Sequence, residues 1–307
     1  MAHKAAYVTL LTKSAYLPGV LVLHHSLVSV RSQYPLVVIA TPTLPQDARE
    51  VVSKRGIAIR EVDQLQPEDG VHNLSAHDSR FADTWTKLRV FELAEYDRVV
   101  MLDADMIVMR NMDELMELDL PVDWIAAAHV CACNPRKLPH YPADWIPSNC
   151  AHTSVEHPTG LTSPPQITES SPRPYTQLNS GTVVLNPSKE LFNSLKHFLV
   201  TSPLVPSFSF PDQDLLSAYF KGKWKTLPWC YNALKTLRLI HPLLWRDDEV
   251  RCLHYILHDK PWSTPPGTAG EYEVMNQWWW DRFEKLQEEM QTSDARGWEL
   301  VASYVTH

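Results

Sequence analysis

The sequence lacks any apolar run that approaches the roughly 20 residues needed to cross a bilayer, so we expect no membrane span. An excess of basic residues is also missing, because 36 Asp and Glu outnumber 28 Lys and Arg, for a net charge of -8. Nucleic acid is therefore not expected as a partner, since binding its phosphates needs a basic face. Glycine is scarce, with 9 residues against 24 prolines, which indicates long, stiffened connections between secondary-structure elements.

Cysteine is sparse as well, and no signal-peptide pattern accompanies it. The five cysteines are an odd number, and residues 1–4 lead directly into a strand-like segment. We therefore expect reduced thiols and a cytoplasmic protein. The 307 residues are 44% hydrophobic and 21% charged, which is ordinary for a globular chain with one large α/β domain or two small ones.

Strand-like and helix-like segments alternate over the first hundred residues. The pattern predicts strands at 6–11, 36–40, 57–59 and 99–102, and helices at 17–30, 45–55 and 84–96. This order is typical of an α/β fold with a Rossmann-like, doubly wound, mostly parallel sheet flanked by helices. Ligands of such sheets bind beyond the carboxyl ends of the strands.

The periodicity disappears between about residues 131 and 177, a segment rich in Pro, Ser, Thr and His that is typical of a functional or mobile insert. It resumes with a strand at 182–185 and helices at 188–200 and 211–220. Residues 271–307 carry three consecutive tryptophans and then helical spacing. We predict a single domain over 1–270 and a helical extension over 271–307 that packs its indoles on that domain.

The most informative motif is Asp103-Ala104-Asp105, directly after the apolar run at 99–102. Two neighbouring carboxylates at the end of a buried strand are costly unless a cation neutralises them. Oxygen ligands favour Mn²⁺ or Mg²⁺. A metal at this edge of an α/β sheet commonly holds a diphosphate, so the motif predicts an enzyme that handles a nucleotide.

Residues 96–108 resemble the metal site of glycosyltransferase family 8, the family of glycogenin and galactinol synthase. Other segments agree with that family in order and approximate spacing: 9–16, 86–89, 178–181 with 186–188, 212–214, and 254 with 260–262. The likeness runs from Tyr7 to Trp262 and is greatest to fungal and plant galactinol-synthase-like members. It implies a GT-A domain that moves galactose or glucose from a UDP-sugar to a small hydroxyl acceptor, with retention of anomeric configuration.

The resemblance also implies roles for individual residues. The metal ligands are Asp103, Asp105 and His254. The UDP-sugar contacts are Thr9, Leu10, Tyr16, Arg80, Lys87, Asp103, Ala104, Asp105, Asn179, Gly181 and Lys260. The catalytic residues are Gln213, Asp212 and Lys87. A core histidine is the alternative for His254, a cap of the first helix for Tyr16, and a surface base for Arg80, whose offset from Lys87 differs from the glycogenin pattern.

Retaining transfer requires either a carboxylate nucleophile or front-face departure with the acceptor guided by the leaving phosphate. No carboxylate is clearly placed as a nucleophile, which favours the front-face route with Gln213 beside the oxocarbenium-like carbon and Asp212 on sugar hydroxyls. Asn179 is expected on the donor sugar, with Gly181 leaving room for its ring. Leu257 stands where glycogenin has glycine, and Trp229 is a candidate stacking face for the acceptor.

The insert contains residues that suit zinc. They are His129, Cys131, Cys133, His140, Cys150 and His152. A Cys-x-Cys pair without a second clean pair is a loose signal. We therefore favour unligated thiols in an acceptor loop.

Other functions stay open at this point. The acceptor is either a cyclitol such as myo-inositol or, as in glycogenin, a tyrosine of the protein itself; the short tail after Trp262 favours the former. A haloacid-dehalogenase-type phosphatase also uses Asp-x-Asp, with Asp247-Asp248 as its late acidic pair, but that fold carries the motif on its first strand. A catalytically silent nucleotide-sugar binder is a further alternative. The oligomeric state is open, a homodimer included.

Overall fold

A computed structural model describes residues 4–68, 71–72, 83–139 and 141–306. The strands are Ala5–Leu11 (β1), Leu36–Ala40 (β2), Ala58–Glu61 (β3), Arg98–Leu102 (β4), Met106–Val108 (β5), Ile125–His129 (β6), Leu178–Leu185 (β7), Trp224–Thr226 (β8), Ala233–Leu234 (β9) and Cys252–His254 (β10). The α-helices are Leu17–Ser29 (α1), Gln46–Lys54 (α2), Thr159–Thr162 (α3), Lys189–Thr201 (α4), Pro211–Tyr219 (α5), Leu237–Ile240 (α6), Glu273–Ser293 (α7) and Ala295–Ala302 (α8). Short 3₁₀ helices make many of the connections.

The main sheet has seven strands in the order β3-β2-β1-β4-β7-β6-β8. Strands β3, β2, β1 and β4 are parallel, β7 runs antiparallel to both of its neighbours, and β8 is parallel to β6. The predicted doubly wound, mostly parallel sheet flanked by helices is therefore confirmed. In β4, Val99 and Met101 contact one core and Val100 and Leu102 the other. Burial on both faces explains why this strand is an uninterrupted apolar run.

A second sheet, β5-β10-β9, crosses the end of the first. Strand β10 pairs antiparallel with β5, which puts His254 opposite Met106. The backbone N–H of Tyr255 donates to the carbonyl of Asp105 over 2.9 Å. This pairing carries a residue from late in the chain to the end of β4.

The predicted helix at 84–96 is wrong in type and length. Thr84–Glu92 is a 3₁₀ helix, and turns follow it. Three of its five buried residues, Trp85, Leu88 and Phe91, recur every three residues. That spacing keeps them on one face of a helix with three residues per turn, whereas an α-helix would rotate them apart.

The C-terminal segment forms α7 and α8, and α7 packs against α1. Trp279 and Trp280 are buried there, whereas Trp278 is half-buried. The predicted packing of indoles on the domain is thus present, while the boundary at residue 270 stays a prediction. None of the helices in the described ranges combines the length and the apolarity that a membrane crossing requires.

Candidate active site

A cavity opens beyond the carboxyl ends of β1 and β4. Most of the predicted site residues line it: Leu10, Tyr16, Lys87, Asp103, Ala104, Asp105, Asn179, Asp212, Gln213, His254 and Lys260. Thr9 is fully buried in β1 and is not among the lining residues. Arg80 lies outside the described residues. The cavity therefore collects side chains from both halves of the chain.

The acidic pair and His254 form one cluster. Nε2 of His254 lies 3.3 Å from Oδ1 of Asp105 and 3.6 Å from Oδ2 of Asp103. The three candidate ligand atoms all lie within 4.8 Å of one another. Mn²⁺ readily binds a set of two carboxylate oxygens and one imidazole nitrogen, whereas Mg²⁺ would bind mainly the two oxygens.

Hydrogen bonds fix which nitrogen of His254 faces the acids. The backbone N–H of Gly181 donates to Oδ1 of Asn179, so this oxygen is an acceptor, and Nδ2 of Asn232 donates to it over 2.8 Å. Oδ1 of Asn232 must then face Nδ1 of His254, 2.9 Å away. Nδ1 consequently carries the proton, which leaves the lone pair of Nε2 directed at the two carboxylates. Three electron-pair donors aimed at one point fit a cation.

Two lysines flank the cluster. Nζ of Lys87 lies 2.7 Å from Oδ1 of Asp103 and 3.1 Å from Oδ2 of Asp212, and Nζ of Lys260 contacts Oδ2 of Asp105. Burial by itself lowers the pKa of Lys87, but Asp103 and Asp212 outweigh it and hold that pKa above its ordinary value. Lys87 is therefore a cation at neutral pH.

The two acids respond differently to this environment. Burial raises the pKa of Asp103, and the opposing charge of Lys87 only partly offsets it. For Asp105 burial also acts upward, but the charge of Lys260 outweighs it and lowers the pKa. The negative charge of Asp103 has therefore lost hydration that its neighbours do not fully replace, and an additional cation would stabilise it.

The space beside Gly181 that we predicted for the donor sugar is filled by the ring of His254. A Cβ built on Gly181 would lie 2.4 Å from Cε1 and Nδ1 of that imidazole. The register of β6 with β7 shifts nearby, where Ala127 pairs with Val183 but Ala128 with Asn179. Such irregularities redirect side chains, and this one accompanies the turn of Asn179 toward Gln213, to which it donates over 3.1 Å.

The acceptor side differs from the prediction. Trp229 is buried against Trp245 with ring centroids 4.9 Å apart, so it offers no face to a sugar. The cavity is lined instead by Tyr141, Trp145 and Phe210, with Trp145 and Phe210 stacked at 5.2 Å. No periodic pattern in the sequence predicts the position of these rings.

Two further positions bear on the predicted site. Leu257 lines the cavity with a φ of 76°, a left-handed backbone that glycine adopts at least cost, which gives a physical reason for the glycine that the resemblance to glycogenin implies at this position. Tyr16 is held at the cavity wall by an edge-to-face contact with Trp262 at 5.6 Å. Asn232, which orients His254, was missed as a functional residue because no spacing rule links the two.

Comparisons with known proteins agree with the arrangement. Residues 7–265 match the family model "Glycosyl transferase family 8". Galactinol synthase 1 of Solanum lycopersicum is 30% identical over 286 residues, which cover 90% of this chain and 80% of that protein. Galactinol synthase 2 of Arabidopsis thaliana is 31% identical over 289 residues, covering 91% and 81%.

Among solved structures, the galactosyltransferase LgtC in complex with donor and acceptor sugar analogs superposes with a TM-score of 0.62. The likeness covers 94% of this chain and 99% of that one at 17% sequence identity. At this identity it shows the fold, which is the GT-A fold.

Proposed function

The chain belongs to glycosyltransferase family 8, and on this premise we propose that it transfers a hexose from a UDP-sugar to a small hydroxyl acceptor with retention of configuration. The observation that carries the proposal is the convergence of Asp103, Asp105 and His254 at the end of β4, in a cavity that also exposes Lys87 and Gln213. The oxygen and nitrogen donors of this cluster would bind a metal ion, and the two flanking lysines would contact the diphosphate that the metal holds.

The donor set fits Mn²⁺ or Mg²⁺, and Asp103, Asp105 and His254 are the residues that would hold it. A bound metal supplies positive charge for the diphosphate oxygens of the donor. Lys87 and Lys260 lie on either side of this cluster. As the diphosphate departs, their ammonium groups stabilise the negative charge that develops on it.

The front-face route is supported because each carboxylate that lines the cavity already has another partner. Among the described residues that line the cavity, the acids are Asp83, Asp103, Asp105 and Asp212. Asp83 pairs with Lys13 at 2.8 Å and Asp212 with Lys87, while the other two form the metal cluster. Since none is left as a nucleophile, the acceptor oxygen bonds the anomeric carbon on the side where the bond to the diphosphate breaks. The hydroxyl proton passes to the leaving phosphate oxygen.

Galactose and a cyclitol are the preferred substrates within this proposal. The relatives that share about 30% identity over most of the chain are named galactinol synthases, which supports UDP-galactose as the donor and a myo-inositol-like acceptor. Tyr141, Trp145 and Phe210 supply an apolar wall of the kind on which the C–H face of a cyclitol packs. The glycogenin-like alternative is separated by intact-mass measurement, because hexose additions to the protein itself would favour it.

The phosphatase alternative has little support. The Asp pair follows the fourth strand of the chain rather than the first. Asp247, half of the proposed late acidic pair, is bonded to Arg238 over 2.9 Å and does not line the cavity. Release of phosphate from simple esters without a nucleotide is therefore not expected.

A thermal-shift panel tests donor and metal together. We expect UDP-galactose to stabilise the protein more than UDP-glucose does, and only when Mn²⁺ is present. At about 100 times its Kd a ligand adds about 2.7 kcal/mol, or roughly 4 °C in a chain of this size. Equal stabilisation with and without metal would contradict the proposal.

Gln213→Ala tests the catalytic role of the amide at the start of α5. We expect kcat to fall about 100-fold, because a polar group beside the developing charge is lost, while the metal-dependent shift by UDP stays near that of the unmodified protein. Tyr219→Phe, at the far end of the same helix, is the matched control. A loss of UDP binding with unchanged kcat would assign Gln213 to donor binding instead.

A further inference from the structure

Three cysteines and a histidine that the proposed reaction does not use converge at one wall of the cavity, which Cys131 itself lines. Cys131 and Cys133 follow β6, and Cys150 lies between two 3₁₀ helices of the insert. The fourth residue, His241, follows α6 and is about a hundred positions further along the chain. Cys133, Cys150 and His241 are buried, and Cys131 is partly buried.

The separations between their donor atoms are those of a tetrahedral zinc site. Nε2 of His241 lies 3.3 Å from Sγ of Cys133, 3.5 Å from Sγ of Cys131 and 3.7 Å from Sγ of Cys150. The Sγ atoms of Cys131 and Cys150 are 4.0 Å apart. Zn–S bonds of about 2.3 Å and Zn–N bonds of about 2.0 Å at tetrahedral angles give S···N separations of about 3.5 Å and S···S separations of about 3.8 Å.

We propose that Cys131, Cys133, Cys150 and His241 form a structural Zn²⁺ site. Three thiolates and one imidazole are a set that zinc prefers over Mg²⁺ or Mn²⁺, and four protein ligands leave no open position for catalysis. The carboxylate cluster, with its oxygen donors, selects a different class of metal. The chain would thus hold two metals of different chemistry.

Of the described histidines, His241 is the one that joins the three cysteines in a group whose donor atoms all lie within 4.8 Å of one another. Nε2 of His129 contacts the carbonyl of Pro165 at 2.9 Å, and Nε2 of His152 contacts the carbonyl of His129 at 3.2 Å. His140 lies outside the described residues. Unligated thiols were the favoured interpretation because only residues of the insert were considered as ligands, whereas the fourth ligand, His241, lies outside it.

The insert has a physical need for such a crosslink. Its own apolar core consists of five buried residues: Val130, Ala132, Cys133, Trp145 and Cys150. Between β6 and β7 the described chain forms 3₁₀ turns and the four-residue α3 but no strand, so few backbone hydrogen bonds hold it. Small units of this kind are commonly stabilised by a metal. The crosslink would hold Tyr141 and Trp145 in place at the cavity.

Metal analysis of the full chain tests the proposal directly. The protein is purified without a chelator or a polyhistidine tag, and its zinc is measured by inductively coupled plasma mass spectrometry. We expect one Zn²⁺ per chain, which falls at least tenfold in Cys150→Ser and in His241→Ala. Cys230→Ser is the matched control, a buried cysteine outside the cluster, and Asp105→Asn controls for the other site; both should keep their zinc.

Two measurements on the unmodified protein remain decisive if the variants do not fold. Co²⁺ exchanged into the protein should give the ligand-field bands of a tetrahedral ion and thiolate charge-transfer bands. Titration of the reduced, denatured and metal-stripped chain should find five thiols, and the same count without prior reduction excludes a disulfide between Cys131 and Cys150. A chain without zinc whose Co²⁺ spectrum lacks both features, or one with that disulfide, overturns the proposal. None of these measurements uses donor or acceptor, so the outcome is independent of the proposed function.

Discussion

Asp105→Ala is expected to abolish the stabilisation that Mn²⁺ and UDP give together, and to lower turnover by roughly a thousandfold. The Asp105 carboxylate faces Nε2 of His254 and also contacts the ammonium group of Lys260. Removing it takes one of three donors from the metal cluster. Less positive charge then stabilises the leaving diphosphate in the transition state. Loss of a single stabilising group at such a position lowers the rate by about a hundred- to a thousandfold.

The same substitution leaves the buried ammonium of Lys260 with the carbonyl of Tyr255 as its remaining partner. Breaking a buried ion pair from one side costs about 3–5 kcal/mol, so the variant's own melting temperature will fall. Asp105→Asn keeps the shape and is the companion variant, and Asp123→Ala, an exposed acid paired with Lys223, is the control. An unchanged metal-dependent shift in Asp105→Asn would refute the assignment of this carboxylate.

Gly181→Ala is expected to lower the affinity for Mn²⁺ and UDP at least tenfold by displacing His254. The added methyl group would lie 2.4 Å from two ring atoms, far inside van der Waals contact. The ring cannot simply retreat, because strand pairing with β5 fixes its backbone and Asn232 holds Nδ1. Nε2 must therefore leave the position from which it faces the two acids.

Gly160→Ala provides the matched control for the loss of stability alone. Its methyl group would lie 2.4 Å from Cδ1 of Leu244, a side chain that is not among those lining the cavity. We expect both variants to melt earlier and only Gly181→Ala to lose the shift by Mn²⁺ with UDP. The double variant Gly181→Ala, His254→Ala should bind no more weakly than His254→Ala alone, because the two changes remove the same ligand. Additive losses would mean that Gly181 acts through another group.

Several features could be predicted from the sequence because they are local. An apolar run without polar interruption reports burial on both faces, and β4 is such a run. Acids directly after such a strand lie at the edge of the sheet, so the position of Asp103 and Asp105 could be predicted. The order of β1, α1, β2, α2 and β3 likewise fixed the doubly wound class, and the motif order from Tyr7 to Trp262 corresponds to the family match over residues 7–265.

The two errors have different origins, one in packing at longer range and the other in a local pattern that was assigned the wrong helical period. Trp229 is of a residue type that can stack on a sugar, but Trp245 covers it. Residues 84–92 have helical content, but the three-residue recurrence of large side chains, which is present in the sequence, favours 3₁₀ over α geometry.

By itself, the sequence determined the fold class, the family and the acidic edge of the sheet, because each follows from patterns within a few residues. Tertiary structure alone decided why Gly181 has no side chain and which histidine lies beside the cysteines, and it explains how His254, expected beforehand only from the family resemblance, reaches the acids. Strand β10 must pair with β5 before His254 reaches Asp105, and His241 lies more than a hundred residues from Cys131. Hydrophobic periodicity reports a residue's own face and carries no information on the partner that faces it from a distant segment.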